Sequence, residues 1–284
     1  MKKLISKHGK SIFVTLTALV CLTNGCRLND SAGPTERNTP PEIPPANTLV
    51  MDFSDFIATN QASYSQTNSG HIEQLLSRDN WGWAATNVMV WNTLLTITFI
   101  TPVAAFVESF KHEPVQQPDD SWIWTYNFNV FGVIHTAELH AKTIPAGIRW
   151  DMYISKENDY SNYHWFFGES NLVTTEGTWT LNSSVAATPF IFIEWHRNPK
   201  DSTSDIKYTN VIPDAAENGG YIFYGTSTDA MYDAFYDIYN KGKDNHSTIK
   251  WNRTTKAGQI KDALHFGDND WHCWNTLLED IDCQ

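Results

Sequence analysis

Positive charge is scarce in this chain. Its 284 residues hold 20 Lys and Arg against 32 Asp and Glu, a formal charge of −12. Four of those lysines (Lys2, Lys3, Lys7 and Lys10) fall in the first ten residues, and without them the balance is −16. A basic nucleic-acid footprint is therefore missing, and attraction to anionic lipid headgroups is disfavoured. Cysteine is also rare, four residues in all: Cys21, Cys26, Cys273 and Cys283. No Cys-x-x-Cys spacing offers a zinc site. Gly-x-Ser-x-Gly, His-Glu-x-x-His and phosphate-cradling glycine loops are absent too. No catalytic residue, cofactor or metal site is assigned from the sequence.

What is present begins at the N-terminus. The basic stretch is followed by an apolar run, Ser11–Leu22, then by Thr23-Asn24-Gly25 and Cys26. A charged n-region, a short apolar core and small residues before a cut site predict a secretory signal peptide over 1–25. The run is shorter than the roughly 20 residues a spanning helix needs. Gly25 and Cys26 resemble the end of a bacterial lipoprotein signal, although Thr23 stands where that family has Leu and Leu22 lies one place further away. The resemblance implies lipidation of Cys26, a lipid bilayer as partner through its acyl chains, and a place in the bacterial cell envelope as an outer-membrane lipoprotein. Ordinary signal-peptidase cleavage at the same bond would instead release a secreted protein. Asn29–Asn47 holds five prolines and almost nothing apolar, so 26–50 reads as an extended tether and 51–284 as one domain.

Cys273 and Cys283 form an even pair in the exported part of the chain, which predicts a disulfide pinning the C-terminus. His272, Asp268 and Asp270 lie close by, but a metal would need better-spaced ligands. The same acidic stretch lacks the Gly and Glu of a calcium loop and reads as a solvated turn.

Asn80–Val107 carries no formal charge over 28 residues. A membrane span is one reading, but the several Asn and Thr residues and Pro102 favour a buried helix over about 83–111. Val88, Trp91, Leu95, Phe99, Val103, Phe106 and Phe110 recur at helical steps. Pro102 should kink or divide this helix, and the β-branched run Thr96–Thr101 could be strand. From Trp122 the period becomes two. Trp122, Trp124, Tyr126 and Phe128 share one face, as do Ile148, Trp150, Met152 and Ile154, and the pattern repeats to Arg253 between turn signals. Tyr232–Tyr239 also fits a helix, but Asp229, Asp233 and Asp237 would then stack like charges, so a hairpin with Ser247–Arg253 is preferred. The fold class is mainly β: an antiparallel meander forming a curved sheet or barrel, packed on one long N-terminal helix. In element order, residues 80–265 loosely resemble half-barrel-plus-helix envelope carriers or calycin-type barrels.

Twelve tryptophans are several times ordinary usage. Broad apolar rings facing an apolar helix suggest a site for a hydrophobic ligand, with Trp91, Phe99, Trp124 and Trp150 as its lining. The expected function is a non-enzymatic envelope lipoprotein that binds a hydrophobic small molecule or partner. One alternative is a surface glycan-binding module, which needs exposed coplanar aromatics. Another is a hydrolase on a β scaffold, which needs His164, Glu194 and His196 to converge. His135 and His140, five apart on one strand, should face opposite ways.

Overall fold

The computed structural model of this chain describes residues 39–57, 79–183 and 187–283. The expected signal peptide, Cys26 and most of the expected tether lie outside the described residues. From Pro40 onward the chain forms one compact unit. It opens with a 3-10 turn (Ala46–Thr48) and a short helix α1 (Ser54–Ile57), followed by a long helix α2 (Asp79–Ser109).

Fourteen strands follow: β1 (Val115–Gln116), β2 (Trp122–Val130), β3 (Val133–Ile144), β4 (Gly147–Lys156), β5 (Tyr160–Ser170), β6 (Glu176–Asn182) and β7 (Pro189–Asn198), then β8 (Thr203–Asn210), β9 (Tyr221–Thr226), β10 (Ala234–Asn240), β11 (Asn245–Trp251), β12 (Gly258–Asp262), β13 (His272–Trp274) and β14 (Asp280–Ile281). A third helix, α3 (Ala263–Phe266), separates β12 from β13. Each strand pairs antiparallel with its chain neighbour, giving a single sheet in sequence order from β1 to β14. The meander expected from period-two patterning is therefore present. The barrel alternative is corrected, because β1 and β14 do not pair and the sheet stays open.

Alternation assigns the two faces. In β4 Trp150, Met152 and Ile154 are buried while Arg149, Asp151 and Tyr153 lie half-exposed opposite them. The preferred hairpin also forms, with Ala234–Asn240 pairing with Asn245–Trp251. His135 is buried and His140 is partly exposed on the other face of β3.

The buried face is unusually thick with indole, and glycine makes the room. Gly168 stands opposite Trp179, Gly177 opposite Trp195 and Gly258 opposite Trp274. A Cβ at any of the three would enter the facing ring and the neighbouring backbone. Each bare glycine thus lets a tryptophan lie across its own partner strand, which flattens the large ring into the layer.

Two segments cover this face. Helix α2 packs closely on β2 and β3 at one end of the sheet and on β11–β14 at the other. Phe99 meets Tyr208 of β8, and Phe106 meets Phe166 and Trp179 of β5 and β6. Edge strands that approach the helix closely, with central strands reached through large side chains, mean that the sheet curls around α2. The helix runs from 79 to 109 rather than from about 83 to 111. The β-branched run is helical, and Pro102 is buried inside the helix without dividing it.

The second cover is a strap, residues 46–57, where the sequence suggested tether up to residue 50. Leu49 is wholly buried, and Ile43 packs against the core. The reason is polar as much as apolar. The Tyr208 hydroxyl donates to Leu49 O at 2.9 Å and accepts from Met51 N at 2.6 Å, deep in the core. Trp179 Nε1 donates to Thr48 Oγ1 at 3.3 Å, Phe53 stacks on Tyr236 and Phe56 meets the same ring edge-on. Tyr208→Phe leaves two buried backbone groups unpaired, so a loss of about 2–3 kcal/mol in urea unfolding is expected. A loss under about 0.5 kcal/mol would mean that water replaces the hydroxyl.

Candidate functional site

Trp91, Phe99, Trp124 and Trp150 all lie on the helix–sheet core. Trp124 and Trp150 are buried with ring centroids 6.1 Å apart, Phe99 is buried against Tyr208, and Trp91 is half-buried at the helix flank. Trp150 Nε1 donates to Ser170 Oγ at 3.0 Å. Neither of the two cavities described for this fold is lined by any of the four. The concave side is occupied by α2 and the strap, and the helix presents its outer face to solvent.

The N-terminal end of α2 is fixed by carboxylates. Asp280 accepts from the backbone N–H groups of Asp79 and Asn80, at 3.1 Å each, where the helix has unpaired donors and a positive dipole end. Asn80 Nδ2 donates to Cys273 O. The expected disulfide joins Cys273 to Cys283 and encloses the segment that carries Asp280, the first residue of β14. Asp262 is the second anchor. It is buried, caps α3 by accepting from His265 N, and takes bonds from Trp83 Nε1 (2.8 Å), Ser247 Oγ (2.6 Å) and Asn245 Nδ2 (2.8 Å). Trp83 also stacks on His265, 3.9 Å between centroids.

Burial pushes the Asp262 carboxyl up, but the four donors outweigh it and hold it below its ordinary 3.8. A lowered value contributes stability that is present above the unfolded-state value and lost as pH falls through the folded one. Asp262→Asn should cost about 2 kcal/mol near neutral pH and reduce the loss seen below about pH 4. Urea midpoints between pH 3 and 7 check this, and an unchanged acid limb would assign the effect to other groups.

At its other end α2 is held by the Tyr126 hydroxyl, which donates to Ala105 O at 2.7 Å, and by His112 stacked on Tyr126. Between these anchors the helix exposes a stripe free of charge. Met89, Val90, Leu94, Ile97 and Val107 are all exposed, Val90 to 64% and Ile97 to 70%. Val90, Leu94 and Ile97 follow at four- and three-residue steps on one side, Met89 adjoins them, and Val107 lies further along the helix. Most polar residues of the same segment turn back on the helix. Thr86 and Thr98 hydroxyls donate to the carbonyls of Gly82 and Leu94, Asn87 donates to Trp83 O, and Thr96 bonds Asn92. Such back-bonding satisfies hydroxyls without water. By length and composition α2 could cross a membrane, yet its inner face is committed to the sheet. Phe110, expected on the buried face, is exposed just past the helix end.

The hydrolase constellation does not assemble. His164 lies beside Tyr153 on β4, whereas Glu194 sits between Thr178 and Lys207 and His196 between Glu176 and Asp205. His164 Nε2 lies 2.8 Å from Asp151, whose carboxylate also takes two bonds from Arg149. Burial raises the Asp151 carboxyl, and the bonds from His164 and Arg149 bring it below its usual value. Arg149 covers the Phe167 ring and His164 stacks on Tyr153. The cluster is a closed ion-pair ladder tying β4 to β5. Among the described residues no group of three or more His, Cys, Asp or Glu could hold a metal ion. Seven of the twelve tryptophans are buried and the other five half-buried. Compared with family models, curated proteins and solved structures, the chain matches none.

Proposed function

We propose that this protein is an envelope-anchored, non-enzymatic binding protein whose hydrophobic partner is lipid, engaged by the outer stripe of α2. The observation that carries the reading is the uncharged exposed face from Thr86 to Ile97, with Val107 exposed further along and most of its hydroxyls and amides bonded within the helix. Met89, Val90, Leu94 and Ile97 lie within nine residues, a stretch about 13 Å long, and contiguous exposed apolar surface of this kind marks an interaction site. A helix with one face on its own sheet and the other in the acyl-headgroup boundary lies in the interface rather than crossing it. The acidic balance of the chain disfavours anionic headgroups, so neutral or zwitterionic lipid is the matching surface. Acyl chains on Cys26 would hold the domain near that surface, and the stripe would add the contact.

The test uses a chain beginning at residue 27, so that neither the apolar leader nor an acyl group contributes. Sedimentation with zwitterionic phosphatidylcholine vesicles should pellet it, with little dependence on salt. Recovery in the supernatant at every lipid concentration would remove the reading.

A glycan-binding reading has one observation in its favour. An open groove of about 630 Å³ on the convex face is lined by Asn127, Thr136, Ser155, Asn158 and Tyr160. It ranks second because a single half-buried ring, Tyr160, would have to supply the stacking.

A further inference from the structure

The sheet has two edges, and they are built differently. At one end β14 is two residues long and sits among Glu279, Asp280 and Asp282. Charge of this kind keeps another strand from pairing there. At the other end β1 covers only the start of β2, with Val115 paired to Ile123 and Gln116 to Trp122. From Trp124 to Val130 the outer edge of β2 has no strand beside it among the described residues. That stretch, WTYNFNV, holds no charge and no proline. It pairs with β3 without a bulge. The devices that ordinarily blunt an edge are thus absent from this one.

The β2–β3 turn decides which backbone groups the edge offers. Val130 and Val133 flank a two-residue turn, Phe131-Gly132, with φ of 50° and 85°. In this hairpin geometry the flanking pair exchanges hydrogen bonds. Alternation then sends the N–H and C=O of Val130, Phe128, Tyr126 and Trp124 to β3, and those of Asn129, Asn127 and Thr125 away from it. The pairing of Ile123 with β1 obeys the same alternation. Thr125, Asn127 and Asn129 are exposed, and no backbone partner meets their outward groups among the described residues.

We infer that a second copy of this chain pairs with this edge, β2 against β2, antiparallel about a two-fold axis at Asn127. In that register the edge is complementary to itself. Asn127 faces its own counterpart, and Thr125 faces the second copy's Asn129 on the outer side of the sheet. On the inner side Trp124 faces Val130 and Tyr126 faces Phe128. Polar groups meet polar and apolar meet apolar, with no charge between them. Thr125, Asn127 and Asn129 of each copy fall in hydrogen-bonded pairs, about six backbone bonds in all. The ends agree as well. Phe131 at the turn is 87% exposed and Val115 of β1 is 65% exposed. A two-fold axis exchanges the two ends of the edge, so the turn of each copy arrives at β1 of the other. One antiparallel sheet then runs through both copies. The pairing does not use the α2 stripe and is independent of the lipid reading.

Asn127→Cys in the full chain, expressed in intact host cells, tests the axis directly. A hydrogen-bonded antiparallel pair holds its Cα atoms about 5.5 Å apart, within the roughly 4.4–6.8 Å that a disulfide spans. This variant should run as a disulfide-linked dimer on a non-reducing gel. The parent should not, nor should Thr136→Cys, which is exposed beside Asn127 but one strand in from the edge. Sedimentation velocity of the natively processed protein, in detergent so that acyl chains cannot join copies, is the second arm. The parent should dimerise. Thr125→Lys with Asn129→Lys sets lysine opposite lysine at two places and should weaken association about tenfold. Thr125→Lys with Asn129→Glu sets lysine opposite glutamate and should restore it. A parent that is monomeric at every concentration, a cross-link formed equally by Thr136→Cys, or a dimer indifferent to both pairs of substitutions would overturn the proposal.

Discussion

Leu94→Glu combined with Ile97→Glu is expected to abolish vesicle binding while leaving the melting temperature within a few degrees of the parent. Both side chains point away from the sheet, and Ile97 is the most exposed apolar residue of the helix. Five partly exposed apolar residues entering acyl chains would contribute roughly 1 kcal/mol each by the area they remove from water. Replacing two of them forfeits about 2 kcal/mol, and two carboxylates facing hydrocarbon cost more. The expected loss is therefore at least about 100-fold in partition, since 1.4 kcal/mol is a factor of ten. The folded state should not suffer, because neither residue belongs to the packed face. Leu95→Glu, one residue away and buried, should unfold the domain instead. Similar binding by the parent and the double variant would refute the stripe's role.

Gly168→Ala is expected to be among the most damaging single substitutions in the sheet. Alanine is ordinarily favoured over glycine inside a regular element by roughly 0.5–1 kcal/mol. Here the new Cβ would meet the Thr178 carbonyl and the Trp179 ring, and backbone cannot yield as a flexible side chain can. A loss of about 3 kcal/mol is expected, at the upper end of typical overpacking costs. The matched control is Gly82→Ala in α2, where a Cβ would meet nothing within 4 Å. That change should stabilise by up to about 1 kcal/mol. Urea unfolding of the pair separates steric from entropic effects. If both glycines respond alike, the tryptophan-over-glycine packing does not constrain the sheet.

The sheet was largely legible because period-two alternation is a local signal. Trp124, Tyr126 and Phe128 turn inward and Thr125, Asn127 and Asn129 outward, as their spacing requires. The like charges at Asp229, Asp233 and Asp237 correctly argued for the hairpin. The disulfide followed from an even pair of cysteines. Helix α2 was legible as an element and in most of its inward face: Val88, Leu95, Phe99 and Phe106 are buried and Trp91 and Val103 pack against the core, while Phe110, just past the helix end, turns outward. The strap was hidden by the prolines just before it, Pro40, Pro41, Pro44 and Pro45, although Leu49, Met51 and Phe53 do alternate. What holds it, the Tyr208 hydroxyl, is 157 residues from Met51. The pairing of Gly168, Gly177 and Gly258 with tryptophan needs the register, and so do the four donors on Asp262. Contacts across such separations leave no periodic trace.

Of the available measurements, the most direct places a spin label at Val90, on the stripe, and in a second protein at Ile134, on the sheet far from the helix in sequence. The two native residues are similarly exposed, at 64% and 65%. Collision rates with oxygen and with a water-soluble nickel complex are then read with and without phosphatidylcholine vesicles. Lipid should shift the Val90 label from nickel to oxygen accessibility and leave the Ile134 label in water. Labels that stay equally accessible to nickel at both positions would contradict a lipid-facing helix.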